Sequence, residues 1–178
     1  QILSMRSEIL PERFCAELTK LRSDVDPMPY ETVLAVLEQE YGGRLGELFD
    51  AIGEHPLGSA SVAQVHRARL ASGEDVAVKV QRPHVQEVMA QDIDIMRSLV
   101  RHLTPFFKGE QFLDLTSVVE ELWDTFREET DFLVEARNLE EFRRNSEDCK
   151  FVTCPKPYLP LCTKHVVVME YVDGITIS

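Results

Sequence analysis

The sequence lacks the long apolar run that a membrane span requires. Its most hydrophobic stretches, such as Val166 to Met169, fall far short of the roughly 20 residues that cross a bilayer. It also shows no secretory signal at its start. Because it begins at Gln1 without an initiator Met and stops just after a strand-like segment, we expect an excerpt of a longer, cytoplasmic protein.

Basic residues are scarce relative to acidic ones. Lys and Arg together number 19 against 31 Asp and Glu, which gives a formal net charge of -12 at pH 7. An acidic chain gains nothing from the counterion release that drives nucleic-acid binding, so we exclude nucleic acid as a partner. With 44% hydrophobic residues over 178 positions, the chain can still build one domain with a core, or one lobe of something larger.

Cysteines are few, and none forms the close pair that is typical of a zinc site. The chain has four, and the last three, Cys149, Cys154 and Cys162, have spacings of five and eight residues, unlike a C-x-x-C pair. We therefore interpret them as reduced, mostly packed thiols, and we expect no metal site within the chain.

Two regions have the apolar spacing of helices. The first covers residues 1–50, where one helix runs from about Tyr30 to Gly42, a typical helix-ending glycine. The second begins at Pro83 and includes the strongest helical pattern in the sequence, which predicts a single long helix over 114–145.

Small and β-branched residues fill the segment between these helical regions. They predict a short strand after Ala51, a longer strand over 62–70 and a third over 75–81 that follows a turn. The apolar run that starts at His165 predicts a further, buried strand. Together these elements indicate an α+β fold with a small antiparallel sheet.

A lysine interrupts the valine-rich strand over 75–81. Alternation places its valines on one face and Ala77, Lys79 and Gln81 on the other. Ala77 is small enough to let a flat ligand lie beside the lysine, whose ammonium could meet phosphate oxygens. The same sequence is also compatible with a solvent-exposed lysine on an edge strand. The preceding run, LGSASVAQVHRA, predicts a loop whose backbone amides can approach phosphates, although small residues also form tight turns without a ligand.

Carboxylates on the long predicted helix could supply a counter-charge for the lysine. Glu129 interrupts the apolar stripe, where it would face the core and need a partner, unless the helix is kinked there and Glu129 lies in water. Asp131 and Glu135 are four residues apart and would point together from the other side, as an ordinary solvated face would also explain. Because kinases hold their phosphate-binding lysine with a helix carboxylate, Glu135 is the candidate partner of Lys79.

These residues resemble the UbiB/AarF atypical kinases, relatives of the protein kinases, over essentially the whole chain. The resemblance rests on PLGSASVAQVHRA, on VAVKVQRP, and on EETDFLVEARN, which carries the family's E-x-D and E-A-x-N motifs. Gln1 is similar to the last residue of the family's K-x-G-Q motif. VVVMEYVDG is similar to the strand that leads to the hinge between kinase lobes, although a plain buried strand fits it too. The chain departs from the family at Gly58, since the loop commonly reads A-A-A-S.

The resemblance implies a protein-kinase-like N-terminal lobe over residues 51–172. A helical extension over 1–50 precedes it, and 173–178 begin the connection to an absent C-terminal lobe. ATP or ADP with Mg²⁺ is the implied cofactor, and the metal ligands are expected in the absent lobe. Nothing after Val172 supplies the positioning Asp and the metal-holding residues of a kinase's second lobe, so we expect the chain alone not to catalyse.

The resemblance also assigns roles to individual residues. Lys79 and Glu135 form the implied catalytic ion pair. The implied nucleotide-binding residues are Gly58, Ser59, Ala60, Ser61, Val65, Ala77, Lys79, Glu170 and Val172. Gln1, Glu129 and Asp131 are implied to couple the extension to the lobe.

In the family, this site supports ubiquinone or related prenyl-lipid biosynthesis at a membrane surface. That implies prenyl lipids or quinone-biosynthesis proteins as partners, and peripheral membrane association of the full-length protein. The alternatives are a protein kinase that phosphorylates other proteins, and a non-catalytic pseudokinase or lipid-presenting adaptor.

Overall fold

The computed structural model describes residues 26–103, 115–146, 149 and 151–174. Their strands form one antiparallel sheet in the order β1-β2-β3-β4. The strands are β1 Phe49–Ser59, β2 Ala63–Leu70, β3 Asp75–Gln81 and β4 Val166–Glu170. The helices are α1 Tyr30–Tyr41, α2 Leu45–Leu48, α3 Val85–Leu103, α4 Leu115–Glu129 and α5 Phe132–Asn145. Short 3-10 turns lie at Gly42–Arg44 and Leu159–Leu161. The predicted α+β fold with a small antiparallel sheet is confirmed.

The main core lies between α1 and one face of the sheet. Val33 and Leu37 are fully buried, and their spacing of four places them on the same side of α1. They pack in one cluster with the buried valines of the central strands, Val76, Val78, Val80, Val166 and Val168. α1 ends near the predicted glycine, since Gly42 takes a φ of 59°, which a side chain would disfavour.

This helix comes from the segment that the sequence assigns to an extension over 1–50. In the structure it shares its core with the sheet, which itself begins at Phe49. The division of the chain at residue 50 stays a prediction. The earlier part of that segment, residues 1–25, lies outside the described residues.

α5 covers the opposite face of the sheet. Its Phe132 and Ala136 are buried against Ala63, Cys162 and Val167. Burial raises the pKa of the Cys162 thiol, which keeps it protonated in this small core. Like Cys162, the half-buried Cys154 and the exposed Cys149 are free thiols, as predicted, while Cys15 lies outside the described residues.

The single helix predicted over 114–145 is wrong, because the structure has two helices that meet at Thr130 and Asp131. Thr130 is buried, and its carbonyl accepts a hydrogen bond from Gln81 Nε2 at 2.8 Å. Asp131 is extended and its carboxylate accepts from the N–H of Leu133 at 3.1 Å, which caps the start of α5. The apolar periodicity continues through this break, so it does not reveal it.

α3 and α4 pack against each other beside the sheet. Arg97 of α3 donates two hydrogen bonds to the carboxylate of Glu120 on α4, at 2.8 and 2.7 Å. This guanidinium holds the pKa of Glu120 below its usual range. Neither helix, nor any other in the described ranges, is long and apolar enough to cross a bilayer.

Candidate functional site

An ion pair joins the middle of the sheet to α5. Lys79 Nζ lies 2.8 Å from Glu135 Oε1 and 2.6 Å from Oε2, so both carboxylate oxygens share the ammonium. The Lys79 side chain is 26% exposed and that of Glu135 is 34% exposed. The pair that the resemblance implies is therefore present, and solvent or a ligand can still reach it.

Phe132 supports the same ammonium from one helical turn before Glu135. The Nζ atom of Lys79 lies 4.6 Å from the centre of the Phe132 ring, which is within the range of a cation–π interaction. Phe132 is fully buried, and its N–H donates to the carbonyl of Lys164 at 3.1 Å. One helix thus supplies two partners of the lysine. Sequence reasoning missed Phe132, although its spacing of three from Glu135 would have indicated it.

The lysine opens into a cleft of about 670 Å³ between the sheet and α5. Val62 lines it from the β1–β2 turn, while Asn138 and Leu139 line it from α5. Glu128 and Glu129 add two carboxylates from the end of α4. This volume is typical of a small-molecule site.

Strand pairing decides which side chains lie next to the lysine. Lys79 pairs with Val65 of β2 and with Val167 of β4, and Ala77 pairs with Met169. Directly paired residues share a face in an antiparallel sheet, so Val65, Ala77 and Met169 form a small apolar surface beside Lys79. Met169 was missed because its position depends on the pairing of β3 with β4, which are far apart in the chain.

The small-residue run that predicts a loop is mostly strand in the structure. Residues up to Ser59 belong to β1, and Gly58 pairs with Val65 of β2. Only residues 60–62 form the turn, where Ala60 and Ser61 are exposed. The loop prediction is therefore wrong for the first part of the run. An edge strand tolerates Pro56 and glycine, and the register with β2 shifts on both sides of Pro56.

Gly58, where the chain departs from the family, does not use the backbone freedom that glycine offers. Gly42 and Gly73 are the glycines with positive φ in the described residues, and Gly58 is not one of them. A Cβ built at Gly58 would meet nothing within 4 Å. An alanine would therefore fit at this position as the family commonly has it.

Ser59 directs its hydroxyl to groups of the protein itself. The hydroxyl accepts a hydrogen bond from Arg82 Nη2 at 2.8 Å and donates to Gln64 Oε1 at 3.4 Å. A contact between Ser59 and a nucleotide would therefore come from its backbone.

The predicted hinge residues lie at the end of β4, which closes with Glu170, and just beyond it. The N–H of Glu170 donates to the carbonyl of Lys156 at 2.8 Å, and the N–H of Tyr171 donates to that of Asp75 at 3.2 Å. These two donors are therefore engaged within the protein. Val172 comes next and is 49% exposed.

The three residues implied in coupling the extension to the lobe have different positions. Gln1 lies outside the described residues. Glu129 is exposed at the end of α4, so the alternative of a kinked helix with Glu129 in water is confirmed. The prediction that Asp131 and Glu135 point together is wrong, because Asp131 caps α5 while Glu135 binds Lys79. The role of Gln1, Glu129 and Asp131 in coupling the extension to the lobe stays a prediction.

Comparisons with known proteins agree with one another. The family model of the ABC1 atypical kinase-like domain matches residues 20–178. Protein ACTIVITY OF BC1 COMPLEX KINASE 1, chloroplastic, of Arabidopsis thaliana is 38% identical over 176 residues, which cover 98% of this chain and 26% of that protein. Probable protein kinase UbiB of Pseudomonas putida is 36% identical over 178 residues, which cover 100% of this chain and 33% of that protein.

A solved structure shows the same fold. The complex structure of Rv3197 with erythromycin from Mycobacterium tuberculosis aligns with a TM-score of 0.71 and 30% sequence identity. The alignment covers 97% of this chain and 43% of that one. The chain thus spans about a quarter to a third of the length of the curated relatives named above.

Proposed function

The chain belongs to the family of ABC1 atypical kinase-like domains, and from this premise we propose that it is the ATP-binding lobe of a UbiB-like atypical kinase or ATPase. The observation that carries the proposal is the ion pair between Lys79 and Glu135 at the edge of the cleft. In protein kinases, a strand lysine held by a helix glutamate contacts the phosphates of the nucleotide. Here the same two residue types come from a central strand and from the helix packed on it.

In the proposed complex, the phosphates lie against Lys79. An ammonium has three donors, and the two oxygens of Glu135 occupy two of them, which leaves one for a phosphate oxygen. Phe132 supports the ammonium from the side of the helix core. The lysine is therefore held in place before the ligand arrives, which lowers the entropy cost of binding.

The charge of the cleft favours a nucleotide that carries a metal ion. Three carboxylates, those of Glu128, Glu129 and Glu135, line the cleft with one ammonium, that of Lys79. A free triphosphate would be repelled by this excess of negative charge, and Mg²⁺ would offset it. No three His, Cys, Asp or Glu side chains gather as a metal site in the described ranges. We therefore propose that the metal ligands come from the rest of the longer protein.

The base of the nucleotide would lie on the same face of the sheet, beside Lys79 and toward the end of β4. Val65, Ala77 and Met169 offer an apolar surface there, and the hinge segment follows directly after Met169. We assign the adenine contacts to the carbonyl of Glu170 and the N–H of Val172, because the N–H groups of Glu170 and Tyr171 are engaged within the protein. Gly58, Ala60 and Ser61 would cover the phosphates from the hairpin, and Ser61 would supply the backbone amide, because the N–H of Ala60 already donates to the carbonyl of Ala63 at 2.8 Å.

Phosphoryl transfer requires parts that this lobe does not provide. A positioning carboxylate and metal-holding residues belong to the second lobe of kinases. Since the chain spans about a third of UbiB, activity is proposed for the longer protein. A role of that protein in ubiquinone or related prenyl-lipid biosynthesis is proposed from the resemblance to UbiB.

The test compares thermal unfolding of the full-length polypeptide with and without MgATP or MgADP. A ligand present at 100 times its Kd stabilises the folded state by about 2.7 kcal/mol, which raises the melting temperature measurably. We expect this stabilisation in the wild type and none in Lys79→Ala. Lys164→Ala, which removes an exposed lysine outside the cleft lining, is the matched control and should respond like the wild type.

An unchanged response of Lys79→Ala would contradict the site assignment. Release of inorganic phosphate from MgATP by the wild type would support catalysis by the longer protein. Binding without release would favour the non-catalytic adaptor instead.

A further inference from the structure

Arg82, the residue directly after β3, is bonded to the β1–β2 turn at three points. Its Nε donates to the carbonyl of Ala60 at 2.8 Å, and its Nη2 donates to the Ser59 hydroxyl at 2.8 Å. Its backbone N–H donates to the carbonyl of Val62, also at 2.8 Å. Arg82 thus contacts the residue before the turn, Ser59, and both ends of the turn, Ala60 and Val62.

The guanidinium of Arg82 is itself held by the segment that precedes α1. Nη2 also donates to the carbonyl of Asp26 at 2.7 Å. Two residues farther on, the N–H of Met28 donates to Gln64 Oε1 at 2.7 Å, and Gln64 Nε2 donates to the carbonyl of Met28 at 3.3 Å. The segment 26–28 is therefore hydrogen-bonded to β2 through Gln64, and this holds the Asp26 carbonyl in place as an acceptor for Arg82.

A buried network continues from Gln64 and leaves no polar side-chain atom without a partner. Gln64 and His66 are both fully buried, and Gln64 Nε2 lies 2.9 Å from His66 Nε2. Because the amide nitrogen is the donor in this contact, Nδ1 of His66 carries the proton and donates to the carbonyl of Gly53 at 2.7 Å. Among the described residues, every buried side-chain nitrogen and oxygen has a hydrogen-bond partner. The hydrogen-bonded network of Gln64, His66 and Gly53 therefore stabilises the strands from which the turn projects.

Apart from the bonds to Arg82, the turn is closed by the hydrogen bond from the N–H of Ala60 to the carbonyl of Ala63 at 2.8 Å. Ala60 and Ser61 are exposed, so neither side chain anchors the turn in a core. Val62 nevertheless lines the cleft together with Lys79. Any movement of the turn would change the space in front of the lysine.

We propose that Arg82 is a positioning residue, which fixes the turn of residues 60–62 at the height where the backbone amides of Ser61 and Val62 meet the phosphates of the nucleotide, since the N–H of Ala60 already donates to the carbonyl of Ala63. The inference rests on the proposed function and adds to it a residue that does not line the cleft. The planar guanidinium suits this role, because it donates to Ala60 and Ser59 at once through Nε and Nη2. A turn ordered in advance costs less conformational entropy when the ligand binds.

Titration calorimetry on the full-length polypeptide tests the inference with two ligands, MgATP and adenosine. Adenosine lacks phosphates and needs only the apolar surface and the hinge. We expect Arg82→Ala to weaken MgATP binding about tenfold and to leave adenosine binding unchanged. Arg82→Lys should restore part of the MgATP affinity. Arg69→Ala is the matched control, because Arg69 belongs to the same hairpin but binds Asp75 at its other end.

Each other outcome overturns the inference. An equal loss for adenosine and MgATP would show that Arg82 only supports the fold, and unchanged MgATP binding would show that the turn needs no anchor. If Arg82→Ala does not fold, Ser59→Ala decides, since it removes one bond of the anchor and should selectively weaken MgATP by a smaller factor. A wild type that binds neither ligand would defeat the proposed function itself, a result distinct from both failures of Arg82.

Discussion

The two faces of the sheet are covered by different kinds of contact. On one face, α1 packs through fully buried side chains such as Leu37 against the valines of β3 and β4. On the other face, α5 buries Phe132 in a smaller core and is also joined to Lys79 by a partly exposed ion pair with Glu135. Apolar burial is non-directional and sets stability, whereas the ion pair is directional and presents a charge to the cleft. By alternation, β3 contributes its valines to the core under α1 and Lys79 to the cleft. Substitutions on the α1 face should therefore affect mainly stability, and substitutions at the ion pair should affect mainly ligand binding.

The largest effect on stability is expected on the α1 face. Leu37→Ala removes a fully buried side chain and leaves a cavity, which should lower the free energy of unfolding by about 2–5 kcal/mol. Urea unfolding, followed by circular dichroism, measures this change. Leu99→Ala is the control, since the Leu99 side chain on α3 is 55% exposed and its loss should change stability by less than about 0.5 kcal/mol. Equal effects of the two substitutions would break the proposed division between the faces.

The next effect is expected on the α5 face, and it concerns binding. Glu135→Gln removes the charge that holds Lys79, so the ammonium loses its fixed position in front of the cleft. We expect the Kd for MgATP in the full-length polypeptide to rise by about 10–100-fold, as the loss of a charge-assisted hydrogen bond implies. The melting temperature without ligand should change little, because both side chains are partly solvated.

Glu141→Gln provides the matched control for this substitution. Glu141 lies on the same helix but is exposed and does not line the cleft. Its substitution should leave the Kd for MgATP unchanged. If Glu135→Gln lowered stability as much as Leu37→Ala while MgATP bound normally, the ion pair would be structural and the comparison of the faces would fail.

The sequence predicts most of the features that depend on local pattern. Alternation along β3 separates the valines from Lys79 correctly, and Gly42 marks the end of α1. The partner of Lys79 could be named before the structure because Glu135 lies in the E-A-x-N motif that resembles the UbiB/AarF kinases, whereas helical spacing alone left Glu129 and Asp131 open as well. The separation of the two faces of β3 succeeds because a strand imposes its period on neighbouring residues.

Features that depend on contacts between distant segments could not be predicted. The break between α4 and α5 is stabilised by Gln81, which bonds the Thr130 carbonyl from another element. Met169 reaches the face of Lys79 only through the pairing of β4 with β3. The anchor formed by Arg82 likewise joins residues that have no common period in the sequence.

A smaller effect is expected where α5 begins. Asp131→Ala removes the carboxylate that accepts the N–H of Leu133, and loss of such a cap typically costs about 0.5–2 kcal/mol. Because the first turn of α5 also carries Glu135, fraying there should weaken MgATP binding slightly as well. Urea unfolding and calorimetry measure the two effects. Asp131→Asn should retain the cap, and a loss as large as that of Asp131→Ala would show that the charge of Asp131 matters more than its cap.

The smallest effect is expected away from both faces, between α3 and α4. The pKa of Glu120 is lowered by its hydrogen bonds to Arg97, so the pair contributes stability above the ordinary carboxyl pKa and loses it as pH falls through the lowered value. Glu120→Gln should therefore lower the melting temperature slightly at neutral pH and less in acid. Glu121→Gln, which alters the next carboxylate along α4, is the matched control and should change the melting temperature less than Glu120→Gln does at neutral pH. If the melting temperatures of the wild type and Glu120→Gln differed by the same amount at every pH, α3 and α4 would be held together by packing, as α1 is held on its face of the sheet, and not by charge.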